Sequence, residues 1–230
     1  MSYNQEQFTM LMIMKKIYYR QVILRKGEIM EIRYIDSTDD KSEDIIVKQR
    51  KYMNWNNMLL HLEALYVLDN ALTEPEDDDL RLIRKFETDN MIKYIVDNGA
   101  GDKLTVLFTE TAVLIKGFAH ENSLNQFAAA GWNQGIIDMM YEGLDEKMKN
   151  MFTDDERQET TFFIWYDGEV HQNQIEGNDG GRWLLGYAFG TYERFEEFAT
   201  DYYDMVFDND LLRKLYTYSA LSELELSKLI

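Results

Sequence analysis

The chain of 230 residues contains no cysteine. Disulfides, thiolate metal sites and cysteine nucleophiles are therefore excluded, and a reducing intracellular compartment is compatible with that absence. Proline occurs once, at Pro75, so rigid turns are scarce. The 13 glycines carry the turns instead, and their clusters mark the loops. No run approaches the ~18 apolar residues that a membrane span needs. The apolar stretch at 8–14 is short, and Lys15 and Lys16 follow it rather than precede it, which is the wrong order for a secretory leader. Phosphate-cradling G-x-x-x-x-G-K-[ST], dinucleotide G-x-G-x-x-G and nucleophile-elbow G-x-S-x-G motifs are all missing. The expectation is a soluble, cytoplasmic protein with no cofactor and no resident metal.

What is present is acid. Lys and Arg number 24 against 42 Asp and Glu, a formal net charge of -18. The imbalance sits late in the chain. Residues 1–57 hold 10 basic and 8 acidic residues, whereas residues 58–230 hold 14 and 34. A surface this negative repels phosphate backbones and anionic lipid and attracts basic proteins or cations. Nucleic acid and membrane are thus poor partners, and a basic protein is a good one. With 45% hydrophobic and 13% aromatic residues the chain can still build a core, so the charge does not imply disorder.

Phe8, Leu11, Met12, Tyr19, Val22 and Ile23 follow a helical period, and 36–44 reads as a polar loop. From 54 to 72, Leu59, Leu62, Leu65, Tyr66, Leu68 and Leu72 make an apolar helix face. Thr73 to Asp79 then resembles a stop and a capped restart, with Leu80, Ile83 and Phe86 as the face of a second, shorter helix. Residues 91–96 are ambiguous. After the turn Asn98-Gly99-Ala100-Gly101-Asp102 the pattern becomes β-branched and aromatic. Residues 104–109 and 112–118 read as a hairpin, 160–166 as a strand, and 169–174 as its partner. Residues 136–151 read as broken helix, 182–189 as a strand, 191–206 as a helix capped by Thr191, and 211–230 as helix interrupted near Ser219. Helices, then strands, then helices indicate an α+β fold: N-terminal helices, a central antiparallel sheet of hairpins, and C-terminal helices. A single domain over 1–230 is the simplest organisation. The alternative is a helical subdomain 1–98 followed by an α+β subdomain 102–230.

Three histidines limit imidazole chemistry to three places. His61 lies between Leu60 and Leu62 within the helix and reads as a core-edge residue. His120 follows a strand in Lys116-Gly117-Phe118-Ala119-His120-Glu121-Asn122. With Glu121 beside it, it is a candidate for acid–base work; the alternative is a capping turn. His171 sits in an alternating polar run that lacks the glycine and terminal glutamate of a calcium loop, so a half-wet hairpin strand explains it better. Asp179 and Trp183, in Asn178-Asp179-Gly180-Gly181-Arg182-Trp183, are candidates for ligand binding on a loop. Trp132 and Trp165 read either as packing residues or as interface anchors.

The stretch Val113-Leu114-Ile115-Lys116-Gly117-Phe118-Ala119-His120-Glu121 resembles one found in a family of uncharacterised bacterial proteins. Thr160-Thr161-Phe162-Phe163-Ile164-Trp165, Trp183-Leu184-Leu185 and the helix at 192–203 extend the resemblance over about 105–205. In that family's pattern Asp precedes the histidine, where this chain has Ala119. The resemblance implies a bacterial cytosolic protein and no established activity.

The functional expectation is a non-catalytic acidic binding protein. Its sharpest form is an immunity-type inhibitor that neutralises a basic toxin, because an acidic face competes for a cationic groove and steers association. The alternatives are a hydrolase or metal-dependent enzyme using His120 and Glu121, and a structural or regulatory protein.

Overall fold

The computed structural model describes residues 55–173 and 175–229. The helical spacing and polar loop read between residues 4 and 44 lie outside the described residues. The protein is α+β, with helices on both sides of a six-stranded antiparallel sheet.

Helix α1 (Trp55–Leu72) opens the described chain and buries Met58, Leu62, Leu65 and Leu68 on one face. Asp69 stitches the end of this helix to the first strand. Its carboxylate, almost wholly buried, accepts the amide protons of Leu82 (3.3 Å) and Ile83 (3.2 Å). Those two bonds set the chain extended at Ile83. A second helix with Leu80, Ile83 and Phe86 on its face therefore does not form. Pro75–Leu80 is a short 3-10 helix, and Ile83–Glu87 is strand β1. The spacing of three fits a helix face, but on the strand it sets Ile83, buried, and Phe86, 49% exposed, on opposite faces, and pairing with the next strand holds them there.

That partner is β2 (Met91–Asp97), followed by β3 (Lys103–Thr109), β4 (Val113–Phe118), β5 (Phe162–Tyr166) and β6 (Val170–Gln172). Each strand pairs antiparallel with its neighbours in chain order. Residues 98–102 form the β2–β3 turn, so the strands on either side of them belong to one sheet. The Asn98 side chain accepts from the amides of Ala100 (2.9 Å) and Asp102 (3.1 Å), and Gly99 and Gly101 supply the positive φ values of 71° and 97°.

The registers put alternate residues on opposite faces. The row Tyr94, Val106, Ile115, Ile164 and the row Val96, Leu104, Gly117, Phe162 face the first core. That face is covered by α1, α5 (Tyr192–Tyr203), α6 (Asn209–Tyr218) and α7 (Glu223–Leu229), together with a 3-10 helix at Arg182–Tyr187. Residues 182–189 are thus not a strand. Leu184 and Leu185 are both buried, which a 3-10 turn permits and alternation along a half-exposed strand forbids. The opposite face carries Leu107, Leu114, Phe163 and Trp165 under α2 (Gln134–Met140), α3 (Glu146–Lys149) and α4 (Asp154–Gln158). Full burial of each such side chain contributes about 1.5–3 kcal/mol.

The chain breaks α6 from α7 at Ser219, whose φ of 51° ends the helix and whose hydroxyl donates to the Leu60 carbonyl at 2.9 Å. Among the described residues no helix is long and apolar enough to cross a membrane.

Candidate binding surface

Three loop segments meet at one end of the sheet: the β2–β3 turn, the segment after β4, and the segment at 178–187. The hairpin register brings the first two together. Lys103 pairs with Phe118, so Asp102 lies beside the chain just past Phe118. There Asp102 Oδ1 accepts from the His120 amide (2.8 Å) and lies 2.9 Å from His120 Nδ1. Asn98 donates to the other carboxylate oxygen at 3.1 Å. Burial pushes the Asp102 carboxyl up, but the bonds from His120 and Asn98 outweigh it and hold the group below the usual range. The ionised carboxylate accepts an Nδ1 proton, leaving the lone pair of a neutral ring on Nε2. Nε2 faces Glu121 at 3.8 Å, and Glu121 is largely in solvent.

The third segment closes on the second through glycine. Gly180 has φ of 72°, and Thr161 donates to its carbonyl at 2.6 Å; a Cβ there would meet the Thr161 oxygen at 2.1 Å. Gly181 (φ 85°) packs so closely on Ala119 that an added Cβ would lie 2.3 Å from the alanine Cβ. Asp179 turns back to accept from the Gly181 amide at 2.9 Å. Asn178 is held by Asn122 (3.1 Å) and Ser123 (2.8 Å). The Gly-Gly pair is therefore a close-packing device that seats Trp183 at the surface.

From Trp183 a chain of rings runs onto α5. Trp183 and Tyr187 are 6.2 Å apart, Tyr187 and Phe198 meet edge-on at 5.5 Å, and Phe198 stacks on Tyr202 at 5.5 Å. Phe198 and Tyr202 are four residues apart and so share one side of the helix. Trp183 is 46% exposed and Tyr202 39%. Carboxylates border this stripe. Burial raises the Tyr187 phenol, a hydrogen bond with Asn98 opposes that, and the charge of Asp102 adds to it. Burial likewise raises Tyr202, with Asp69, Tyr187 and Asp97 adding to the rise. Glu197 and Asp201 precede the two α5 rings directly, and Asp204 follows. Arg182, half-buried beside Asp179, and Arg194, one turn before Phe198, bring positive charge to the same neighbourhood.

The other sequence candidates lie elsewhere. Trp165, 4% exposed, belongs to the second core, where it stacks on His171 at 4.9 Å. His171 sits on the edge strand β6 and bonds Asp167 at 2.9 Å, so it does not join His120. Trp132 is exposed on a different patch, against Phe127 at 5.3 Å. His61 is buried edge-on to Phe195 and Tyr216, with Nδ1 lacking a hydrogen-bond partner, and burial lowers its pKa to about 4. A polar cavity of about 240 Å³ lies among α2, α3 and α4, lined by residues including Asp138, Tyr141 and Arg157, away from His120.

Four residues that frame the surface did not stand out as site residues in the sequence: Asp102, Tyr187, Phe198 and Tyr202. The signal for Asp102 was the register itself. Extending the 104–109/112–118 hairpin by two residues at its open end places 102 opposite 119, next to His120.

The chain matches no family model, no curated protein and no solved structure.

Proposed function

We propose that this protein is a non-catalytic acidic binding protein whose partner is a basic protein, and that in its sharpest form it is an immunity-type inhibitor of a basic toxin. One observation carries the reading: the fold ties up its sheet lysines. All four lysines on the strands are engaged by the protein itself. Lys85 pairs with Glu63 and Glu87, Lys93 with Glu156, and Lys103 with Glu159 at 3.2 Å. Lys116, 3% exposed, donates to the carbonyls of Glu156 (2.7 Å) and Glu159 (2.6 Å) at the end of α4. Arg157 is likewise held by Asp154 and by the Phe152 carbonyl. Carboxylates are left to dominate the outside, as at 201–210, where four aspartates fall in ten residues. Such a field accelerates encounter with a cationic partner and weakens as salt is added.

The test uses the full chain with two probes, an arginine-rich peptide and duplex DNA, at low and physiological salt. Saturable binding of the peptide alone, with an association rate that falls as salt rises, supports the reading. No peptide binding at low salt, or equal binding of DNA, sinks it.

A second reading, acid–base chemistry at His120, is favoured by the Asp102–His120 geometry. An imidazole held at Nδ1 by a carboxylate and open at Nε2 is arranged as a general base. Its test is a hydrolase substrate screen on the native chain and on His120→Asn. Turnover abolished by that single change would favour catalysis, and turnover unaffected by it would remove His120 from the chemistry.

A further inference from the structure

The ring stripe and its acidic border go together, and they specify more than a general attraction for cations. Exposed aromatic faces bind guanidinium by stacking and by the ring quadrupole, and do so best where carboxylates stand close enough to pair with its N–H groups. Trp183 and Tyr202 are the exposed ends of the stripe, while Tyr187 and Phe198 between them are more deeply set. Asp179 lies at the Trp183 end, Asp97 near Tyr202, and Glu197, Asp201 and Asp204 on the helix that carries Phe198 and Tyr202. Val206, 92% exposed, follows α5 in the chain and precedes Asp208 and Asp210. Exposed rings bordered mainly by carboxylates mark a docking site rather than scattered surface hydrophobics. Asp97, Asp102, Asp179, Glu197, Asp201 and Asp204 outnumber Arg182 and Arg194 along this border, so the complementary occupant is positive.

We propose that the stripe Trp183–Tyr187–Phe198–Tyr202 is the docking surface for the basic partner, and that it receives arginine side chains whose guanidinium planes lie on Trp183 and Tyr202 while Asp97, Asp179 and Asp201 pair with their edges. This rests on the acidic-binder reading and assigns it a place and a side-chain chemistry. Arginine is favoured over lysine because a planar, weakly hydrated guanidinium stacks and pairs at the same time, whereas an ammonium must surrender a tighter hydration shell.

The test titrates the full chain with an arginine-rich peptide and with its lysine counterpart of equal length and charge, following the tryptophan indole N–H signals by NMR. Expected is a shift of the Trp183 signal with those of Trp132 and Trp165 unmoved, and weaker binding of the lysine peptide. Trp183→Ala and Tyr202→Ala each lower affinity for the arginine peptide by roughly tenfold. Trp183→Phe, which keeps a ring in place, retains most of the affinity, and Trp132→Ala changes nothing. If the arginine peptide binds but Trp183→Ala and Tyr202→Ala bind as well as the native chain, the stripe is not the site, although the acidic-binder reading stands. If the peptide does not bind at all, both fail. A dimer in sedimentation that Trp183→Ala dissolves would give the stripe to a second copy of the chain and overturn the proposal.

Discussion

Tyr203 donates its phenol proton to Asp69 at 2.8 Å, joining the end of α5 to the end of α1 across 134 residues of sequence. The same carboxylate holds the amides of Leu82 and Ile83. One buried anion thus fixes where β1 begins and where α5 lies against α1. Its neighbours also explain why burial and the Asp69 charge together raise the Tyr203 pKa.

Removing the two partners should therefore cost unequal amounts. Tyr203→Phe loses one bond to a charged acceptor, about 2 kcal/mol. Asp69→Ala strands two backbone amides and the phenol, and about 4 kcal/mol is expected. Urea denaturation of both single variants and the double variant checks this. The double variant should be little worse than Asp69→Ala, and simple additivity would show that the bond is not made.

His61 makes the fold acid-sensitive. Its folded pKa of about 4 lies below the ordinary 6.5, so the unfolded chain binds a proton that the folded chain refuses. Stability from this group is complete above pH 6.5 and drains away as pH falls toward 4, by about 3 kcal/mol. His61→Phe keeps a ring against Phe195 and Tyr216 and removes the orphaned Nδ1. Its stability should vary less with pH between 6.5 and 4 than the native protein's. Identical pH profiles would refute the assignment.

Lys116 acts at the other end of the scale. Burial lowers it from 10.5 to about 8, partly opposed by Glu159 and Glu156. Above pH 8 the folded chain releases this proton while the unfolded chain keeps its own, so stability should rise from pH 8 toward 10 through this group. Lys116→Met removes that rise and leaves the Glu156 and Glu159 carbonyls without their donor. Thermal melts of both proteins at pH 7 and pH 9.5 separate the effects. The native protein gains relative to the variant at the higher pH, and a constant difference would be inconsistent with a buried, titrating amine.

Two glycines with nearly equal φ give a paired test of the loop that carries Trp183. Gly177 (φ 74°) has open space where a Cβ would go, whereas Gly180 (φ 72°) has the Thr161 carbonyl at 2.1 Å. Gly177→Ala should cost about 1 kcal/mol, the strain of a left-handed residue alone. Gly180→Ala adds a backbone collision and should cost about 3 kcal/mol. Similar losses for both would mean that Gly180 is not pressed against β5.

Strand alternation and helix faces were readable wherever one residue type dominated a face. The 104–109/112–118 hairpin, the strand near 162–166 and the helix at 192–203 all arise from runs of β-branched, aromatic or period-four apolar residues. The sequence misleads at Leu80, Ile83 and Phe86, where spacing of three fits a helix but an anion 14 residues before Ile83, Asp69, sets an extended chain. It misleads again at 182–189, where an apolar run has no partner strand and coils to bury adjacent leucines. Asp102 and His120 were hidden as a pair because the residues flanking the histidine are Ala119 and Glu121, and the carboxylate that binds it arrives from 18 positions away.

The sheet's simple order has a consequence for synthesis. Because every strand pairs with the one made just before it, β1 to β6 can be laid down in the order they leave the ribosome, each addition closing a short turn except that of β5, which waits for residues 119–161. Helix α1 has no such luck. Its Leu60 carbonyl and apolar face wait for Ser219 and α6, 159 residues later. A nascent chain halted after β6 would hold a paired sheet with one oily side covered by α1 alone, and that interval is when this protein most needs shelter from its neighbours.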